Sequence, residues 1–434
     1  MLEEIMDAQS AVAVSHLATP TTRRPAALYW LALGTFAIGT EGFMIAALLT
    51  MIAADIRVSV AQAGLLVSIF ALAYATSSPV LTALTGRMDR RRLLIASMSL
   101  FAMLNMAAAT THSFLALAAA RVLLAFAAGL FTPNANALAG ALVPAQQRGR
   151  AIAIVNGGLT AAIALGVPLG ALVGERFGWR MTFACVGALS AIAAVGLAQG
   201  LPRGVGASMV TASLGDRVRA VRDPRVARTL FVTTIWAVGS YAVYTYVAPF
   251  LYSATPLRGS QIGVALFTWG LAAGVGLFVS GQTTDRLGSG VVLRASLTTL
   301  TLALAGLAVV ANVVSPAQAV APVLVAMAVW GLSSWAFFPA QQTRFIELVG
   351  VPSAPVALSL NASFMYLGFS LGAALGGFSL LHLGPRHLGF VGAVCELAAL
   401  VLLLANQARD ARSQSGGAEP RSAAPNTTSN SALE

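Results

Sequence analysis

The sequence contains no lysine and few charges of either sign. All 26 basic residues are arginine, set against 15 acids, and charged residues make up 9% of the 434. Soluble domains carry about 25%, so this chain cannot cover an aqueous surface of ordinary size. Cysteine is nearly absent. Cys185 and Cys395 lie far apart inside apolar runs, which argues against a disulfide and leaves no Cys-x-x-Cys metal site. His16, His112, His382 and His387 show no metal-ligand spacing, and neither His-Glu-x-x-His nor Gly-x-Ser-x-Gly occurs. The phosphate-binding Gly-rich loop of ATP-driven machines is missing too. An enzyme, a metal centre and a resident cofactor are therefore not expected. The net charge of +11 could suggest nucleic acid, but the arginines sit between apolar runs and no basic helix interleaved with aromatics is present. No nucleic-acid partner is expected.

Apolar residues, by contrast, supply 57% of the chain, and the mean hydropathy is +0.80. They form continuous runs of about 20 residues, long enough to cross a bilayer as helices, unlike the short alternating segments of a membrane β-barrel. The runs fall at about 27–50, 62–85, 93–110, 114–142, 150–173 and 180–200. After an arginine-rich stretch they resume at about 229–252, 262–281, 291–313, 319–340, 354–380 and 387–406. The expected fold is an all-α membrane protein of twelve transmembrane helices in two pseudo-symmetric six-helix bundles, over 26–200 and 229–406. A tail over 1–25, a central loop over 201–228 and a disordered tail over 407–434, rich in Ser, Ala, Asn and Pro, complete the chain. Glu3, Glu4 and Asp7 set the N-terminus apart from a basic signal peptide.

Placing both termini in the cytoplasm puts twenty arginines inside, with Arg57, Arg176, Arg180, Arg258 and Arg386 outside and Arg121 within a span. That asymmetry satisfies the positive-inside rule, which an odd number of spans would scramble. The location expected is the cell membrane, with the lipid bilayer as surroundings and the chain acting as a monomer.

The halves echo each other. Thr85-Gly86-Arg87-Met88-Asp89-Arg90-Arg91-Arg92 follows span 2, and Gly281-Gln282-Thr283-Thr284-Asp285-Arg286-Leu287-Gly288 follows span 8. Span 5 carries Asn156, Gly166, Gly170 and Gly174; span 11 carries Asn361, Gly368, Gly372 and Gly376. Two similar six-helix halves suit a transporter that rocks about a central site. On these residues the chain resembles the major facilitator superfamily over about 26–406, and within it the twelve-span drug:proton antiporters. Gly-x-x-x-Asp-Arg-x-Gly is complete at Gly281–Gly288 and degenerate at Thr85–Arg92. Arg121 with Gly129 looks like that family's intramembrane arginine motif, and Gly157, Gly166, Pro168 and Gly170 resemble its glycine-proline exporter motif. Gly39-Thr40-Glu41-Gly42-Phe43-Met44 and Arg148-Gly149-Arg150-Ala151 resemble the arabinose-efflux and chloramphenicol-resistance branch.

Glu41 is a carboxylate deep in span 1, which costs about 2.5–3.5 kcal/mol on insertion scales. Such an acid can load a proton and release it when solvent access changes, with Arg121 as its coupling partner; the alternatives are a solvated outer-mouth carboxylate and a snorkelling arginine. Asp89 and Arg90, with Gly281, Asp285, Arg286 and Gly288, are expected to form a cytoplasmic gate of carboxylate-guanidinium pairs; the alternative is helix capping and topology charge. Gly157, Gly166, Gly170 and Gly174, with Pro168 kinking the helix, are expected to pack span 5 tightly against a helix of the opposite half, and Gly368, Gly372 and Gly376 to do the same for span 11. Phe36, Phe43, Tyr241, Tyr244 and Trp330 can line a cavity for a drug-sized ligand, with Asn134, Asn156 and Asn361 as hydrogen-bonding groups; for the rings the alternative is an interfacial belt. Glu396 receives no role.

These features point to secondary active export of a small organic compound, a drug or antibiotic such as chloramphenicol, exchanged for protons by alternating access. Sugar or nucleoside efflux and proton-coupled uptake are the alternatives within the class; a membrane-embedded enzyme or sensor is the alternative outside it.

Overall fold

A computed structural model describes residues 24–203 and 213–415. It contains twelve helices long and apolar enough to cross a membrane: α1 (Ala26–Ile56), α2 (Val60–Leu84), α3 (Arg90–Ala109), α4 (Phe114–Ala141), α5 (Arg148–Phe177) and α6 (Trp179–Gly200) in the first half. The second half holds α7 (Pro224–Tyr244), α8 (Gln261–Leu287), α9 (Ser289–Val313), α10 (Pro316–Val351), α11 (Ser353–His382) and α12 (Pro385–Arg412). A helix satisfies its backbone internally, which an oily surrounding demands. The ends, where partners run out, are capped by polar side chains. Ser59 and Gln62 form a reciprocal capping box on α2, and Asp89 Oδ1 accepts the Arg92 N–H at the start of α3 at 2.8 Å. Gly350, at φ 73°, separates α10 from α11 in a left-handed conformation that only glycine enters freely.

Two boundaries, and the content of one loop, differ from those expected. Helix α7 begins at Pro224, inside the segment assigned to the central loop, and that loop also holds a short helix over Leu214–Arg222. Helix continues through Ser415, so 407–415 is not tail; the remainder of 407–434, like 1–23, lies outside the described residues. The cause is the same in each case. Apolar runs mark only the part of a helix facing lipid, while its polar extension is held by side chains that hydropathy reads as loop. Arg344 donates to Asp410 at 2.5 Å, and Arg228 sits 4.0 Å from the same carboxylate, so the end of α12 is tied to α7 and α10.

Glycine governs how the helices approach. In α5, Gly158, Gly166, Gly170 and Gly174 face Ala32, Thr40, Met44 and Leu48 of α1, at steps of eight, four and four residues on both sides. In α11, Gly368, Gly372 and Gly376 face the Thr234, Val238 and Ala242 carbonyls of α7, four residues apart on both sides. Both glycine seams lie within a half, which corrects the expectation that these faces meet the opposite one; α5 and α11 do pack across the halves, on α8 and α2, but through other faces. A small-residue stripe announces a close backbone but not whose. Gly157 is not part of the seam, because a side chain there would meet open space; Gly158 takes that place. Pro168 has no N–H, and its ring crowds the carbonyl of residue 164. The helix widens into a π-helical turn over Ala162–Gly166 to accommodate it.

That turn is where the halves meet. The Ile163 carbonyl lies so close to Gly270 of α8 that a Cβ would collide with it. On the opposite side of the molecule, Ser68 of α2 and Ser370 of α11 exchange hydrogen bonds to each other's carbonyls at 3.1 and 2.9 Å. Tyr246, just beyond α7, wedges between Gly64 and Gly377 and donates to the Ala373 carbonyl at 3.0 Å. These contacts run from the middle of α5, at Ile163, to the helix ends opposite the arginine-rich loops, here the distal end. Toward the basic end, Gly157 of α5 and Gly281 of α8 face open space. The contacts named above close the bundle distally.

Candidate functional site

Glu41 stands midway along α1 and is fully buried, as is Arg121 of α4. Arg121 Nη1 pairs with Glu41 Oε1, its Nε donates to the Leu66 carbonyl at 3.3 Å, and its guanidinium lies 4.2 Å from the centre of the Phe70 ring. The structure thus joins two residues 80 positions apart. One oxygen and one nitrogen of the pair, Glu41 Oε2 and Arg121 Nη2, have no hydrogen-bond partner. A buried ion pair recovers its desolvation only when the remaining lone pairs and protons are also met.

Two residues along α1, Phe43 crosses into the other half. Its ring centre lies 5.7 Å from Trp335, 6.0 Å from Tyr244, 6.1 Å from Tyr241 and 6.5 Å from Phe369, and its carbonyl accepts the Tyr244 hydroxyl at 3.1 Å. Behind these rings Trp236, Trp269 and Trp330, with Ser240, Ser334, Tyr241 and Tyr244, line a narrow chamber of about 10 Å³, which must widen to admit a drug-sized compound. Tyr241 stacks on Phe369 at 3.6 Å and Tyr74 on Tyr366 at 3.8 Å, the latter pair spanning α2 and α11.

Of the residues singled out as ligands, Tyr241, Tyr244 and Trp330 line this chamber, and Phe43 packs against the two tyrosines at its edge. Phe36 is half-buried on α1 outside it, and Asn156 is exposed on α5. Asn134 is committed elsewhere: it accepts from the buried Arg90 guanidinium at 3.0 Å and donates to the Leu130 carbonyl. Asn361 accepts from Thr233 at 2.7 Å, and Thr233 is also held by Gln341, a polar cluster joining α7, α10 and α11 below the chamber. At the basic end, Asp89 caps α3 and Arg90 donates to the Thr85 and Gly86 carbonyls. Asp285 and Arg286 are exposed and Gly288 ends α8 at φ 82°. Among the described residues, Asp89, Asp285 and Arg286 form no ion pair across the bundles. The second half has its own ties there, Arg344 with Asp410 and Glu347, and Glu347 with Ser289 at 2.7 Å.

Sequence reasoning gave no part to Tyr74, Tyr366, Phe369, Trp269 or Ser240. Single aromatics and serines in apolar helices carry no positional signal until the helices are assembled.

The sequence model of the Major Facilitator Superfamily matches residues 31–351 and 229–432. YbcL of Bacillus subtilis (strain 168), described as an uncharacterized MFS-type transporter, is 31% identical over 377 residues, covering 87% of this chain and 94% of that protein. A chloramphenicol resistance protein of Streptomyces lividans is 36% identical over 264 residues, 60% of this chain and 67% of that one. The fold matches the crystal structure of a bacterial homologue of the human lysosomal transporter Spinster with a TM-score of 0.67 at 18% identity, over 90% of this chain and 96% of that one. With twelve spanning helices in two equivalent halves and a family match along nearly its whole length, the chain belongs to the Major Facilitator Superfamily.

Proposed function

We propose that this transporter exports a small, largely apolar organic compound of the drug or antibiotic class in exchange for protons, with the basic face in the cytoplasm. The observation that carries the reading is the buried Glu41–Arg121 pair set two residues from Phe43, the residue through which the first half meets the aromatic chamber. The similarity to the Streptomyces lividans chloramphenicol resistance protein supports the cargo class. The arginine asymmetry supports the orientation.

In the mechanism, protonation of Glu41 removes its charge and releases Arg121. Phe43 and the Glu41 carboxylate share one helical turn, so a shift of α1 on protonation moves the ring that seals the chamber and the carbonyl that holds Tyr244. A second route runs from the Arg121 guanidinium over Phe70, through Tyr74 at 6.5 Å, to Tyr366 of α11. Cargo enters the chamber from the basic side by burying its apolar surface against the rings. Closure of that side and parting of the Ser68–Ser370 and Tyr246 contacts then exposes it distally. Each proton moving down a 100 mV potential supplies about 2.3 kcal/mol. The chamber's few polar groups fit an aromatic or apolar compound better than a sugar, which would need many hydrogen bonds.

The test is chloramphenicol susceptibility of cells carrying the wild type or Glu41→Gln, with efflux measured in everted vesicles with and without a proton gradient. Wild-type tolerance that disappears with the gradient and with Glu41→Gln is expected. Gradient-dependent efflux that survives Glu41→Gln removes Glu41 from coupling.

A further inference from the structure

Glu41 is not the only acid at depth. Glu396 of α12 is fully buried, yet α12 packs outside the interface between the halves. It forms no ion pair among the described residues. Its Oε1 accepts the Ser240 hydroxyl of α7 at 3.0 Å, and its Oε2 has no hydrogen-bond partner. The α10 group in line is the Ser334 hydroxyl, 3.2 Å from that of Ser240; α9 presents aliphatic Leu304 and Ala308 to this stretch of α12. The neighbouring titratable group is the Cys395 thiol on α12 itself.

The arrangement is built rather than incidental. Gly239 of α7 lies against Gly392 of α12, and a Cβ at Gly239 would stand 2.7 Å from Glu396 Oε1. The paired glycines cut the slot through which the carboxyl reaches Ser240. Both serines also line the aromatic chamber, with Trp236, Trp330 and Trp335 around them. A charged carboxylate without a cation cannot be held at this depth cheaply, whereas a neutral acid hydrogen-bonded to a hydroxyl can.

We propose that Glu396, Ser240 and Ser334 form a second proton-binding site, in the second half, which exchanges its proton with the chamber along the two hydroxyls. Loading is a relay. A hydronium ion in the chamber gives its proton to the Ser334 oxygen and is left as water, while Ser334 passes its own proton to Ser240 and Ser240 passes its proton to the carboxylate. Each serine ends as it began and one proton has moved; release runs the same steps backward. Its place behind the chamber makes the site responsive to the chamber's contents: cargo filling the space in front of Ser334 blocks the exchange, and its departure reopens it. On the exporter reading above, on which its transport role rests, this raises the protons exchanged per cargo by one.

The test uses the full chain in lipid nanodiscs and needs no cargo. Infrared difference spectra between acidic and alkaline buffer are expected to show a protonated-carboxyl carbonyl band that shifts in D2O, persists in Glu41→Gln and vanishes in Glu396→Gln. Gln keeps the volume and the Ser240 hydrogen bond, so the fold is preserved. Ser334→Ala is expected to keep the band and slow its deuterium exchange at least about tenfold. A spectrum unchanged by Glu396→Gln, or a Glu396 band that neither titrates nor exchanges, overturns the proposal. In proteoliposomes with chloramphenicol as probe, Glu396→Gln is expected to lower the proton-to-chloramphenicol ratio by one. An unchanged ratio overturns the transport role alone. Proton-independent chloramphenicol flux in the wild type sinks the exporter reading instead, while the spectra still decide whether Glu396 is a proton site.

Discussion

Adding one methyl group at Gly64 tests whether the distal closure is one state of two. A Cβ there would lie 2.5 Å from Tyr246 Cζ and nearer still to its hydroxyl oxygen, well inside the ordinary 3.4–4 Å contact. The ring has no easy escape. Tyr246 is 1% exposed, its hydroxyl is bound to the Ala373 carbonyl at 3.0 Å, and on its other side it lies 2.6 Å from where a Gly377 Cβ would be. Overpacking of this sort costs about 1–3 kcal/mol, and loss of the hydrogen bond about 1 kcal/mol more. Because Gly64 belongs to the first half and Gly377 to the second, the whole cost falls on the distally closed state. A penalty of about 2–4 kcal/mol shifts the equilibrium toward distal opening by roughly 30- to 700-fold. The assay is double electron–electron resonance between labels at Arg176 and Gln261, exposed distal positions on α5 and α8, in a Cys185→Ala, Cys395→Ala background. Gly64→Ala is expected to replace the short distance by a longer one. A folded variant with the wild-type distribution would refute the argument that this wedge holds the halves together.

Three further outcomes follow from other contacts. Arg121→Met leaves Glu41 without its partner and is expected to cost about 3–5 kcal/mol, as for a broken buried pair; the thermal midpoint in detergent should fall, and Glu41→Gln/Arg121→Met should recover most of it. Gly174→Leu collides with Leu48 across the α1–α5 seam and should lose about 1–3 kcal/mol of stability, whereas Gly157→Ala, facing open space, should be neutral or gain up to about 1 kcal/mol on the same melting curve. In the short helix Leu214–Arg222, the Ser213 hydroxyl and N–H, donating to Asp216 at 2.7 and 3.1 Å, together with nearby Arg219, hold the Asp216 carboxyl below its usual pKa. A lowered folded value means the cap's contribution is complete above the ordinary aspartate pKa and is lost as pH falls through the lowered one. The mobility of a spin label at Arg222 should rise in that acidic range and at neutral pH in Ser213→Ala.

Why some features were legible in the chain and others were not comes down to range. Twelve spans could be read because a bilayer imposes length and hydropathy locally, and the halves because Asp89 and Asp285, or Gly166 and Gly368, recur at matching places. Glu41 and Arg121 stood out because an ion at depth is costly wherever it sits. Their pairing did not, since 80 residues of separation say nothing about which helix faces land together. Asn134 shows the same limit: its polar side chain suggested a ligand contact, yet Arg90 engages it in three dimensions. The glycine seams were visible as stripes, but α1 was not visible as their partner. Glu396 read as an acid without a role because the glycine slot and two serines that make it accessible come from three different helices.

The pseudo-symmetry of the scaffold conceals an unequal division of chemistry. The seams α1–α5 and α7–α11 are built alike, with glycines at four- or eight-residue intervals meeting the first helix of their own half. Yet the ion pair is held wholly by α1, α2 and α4, while the chamber's walls come from α7, α8, α10 and α11, with Phe43 as the ring the first half adds. On the exporter reading, proton and cargo at Glu41 therefore do not compete for one space. Their exchange must be transmitted through α1, across a contact of one ring and one carbonyl, with the Phe70–Tyr74–Tyr366 series as the second route. Phe43→Ala is then expected to leave Glu41 titrating while uncoupling proton entry from export, seen as proton leak without chloramphenicol efflux in proteoliposomes. Coupled transport retained in that variant would leave the coupling to the second route, or place the cargo beside Glu41 itself and make the two compete directly.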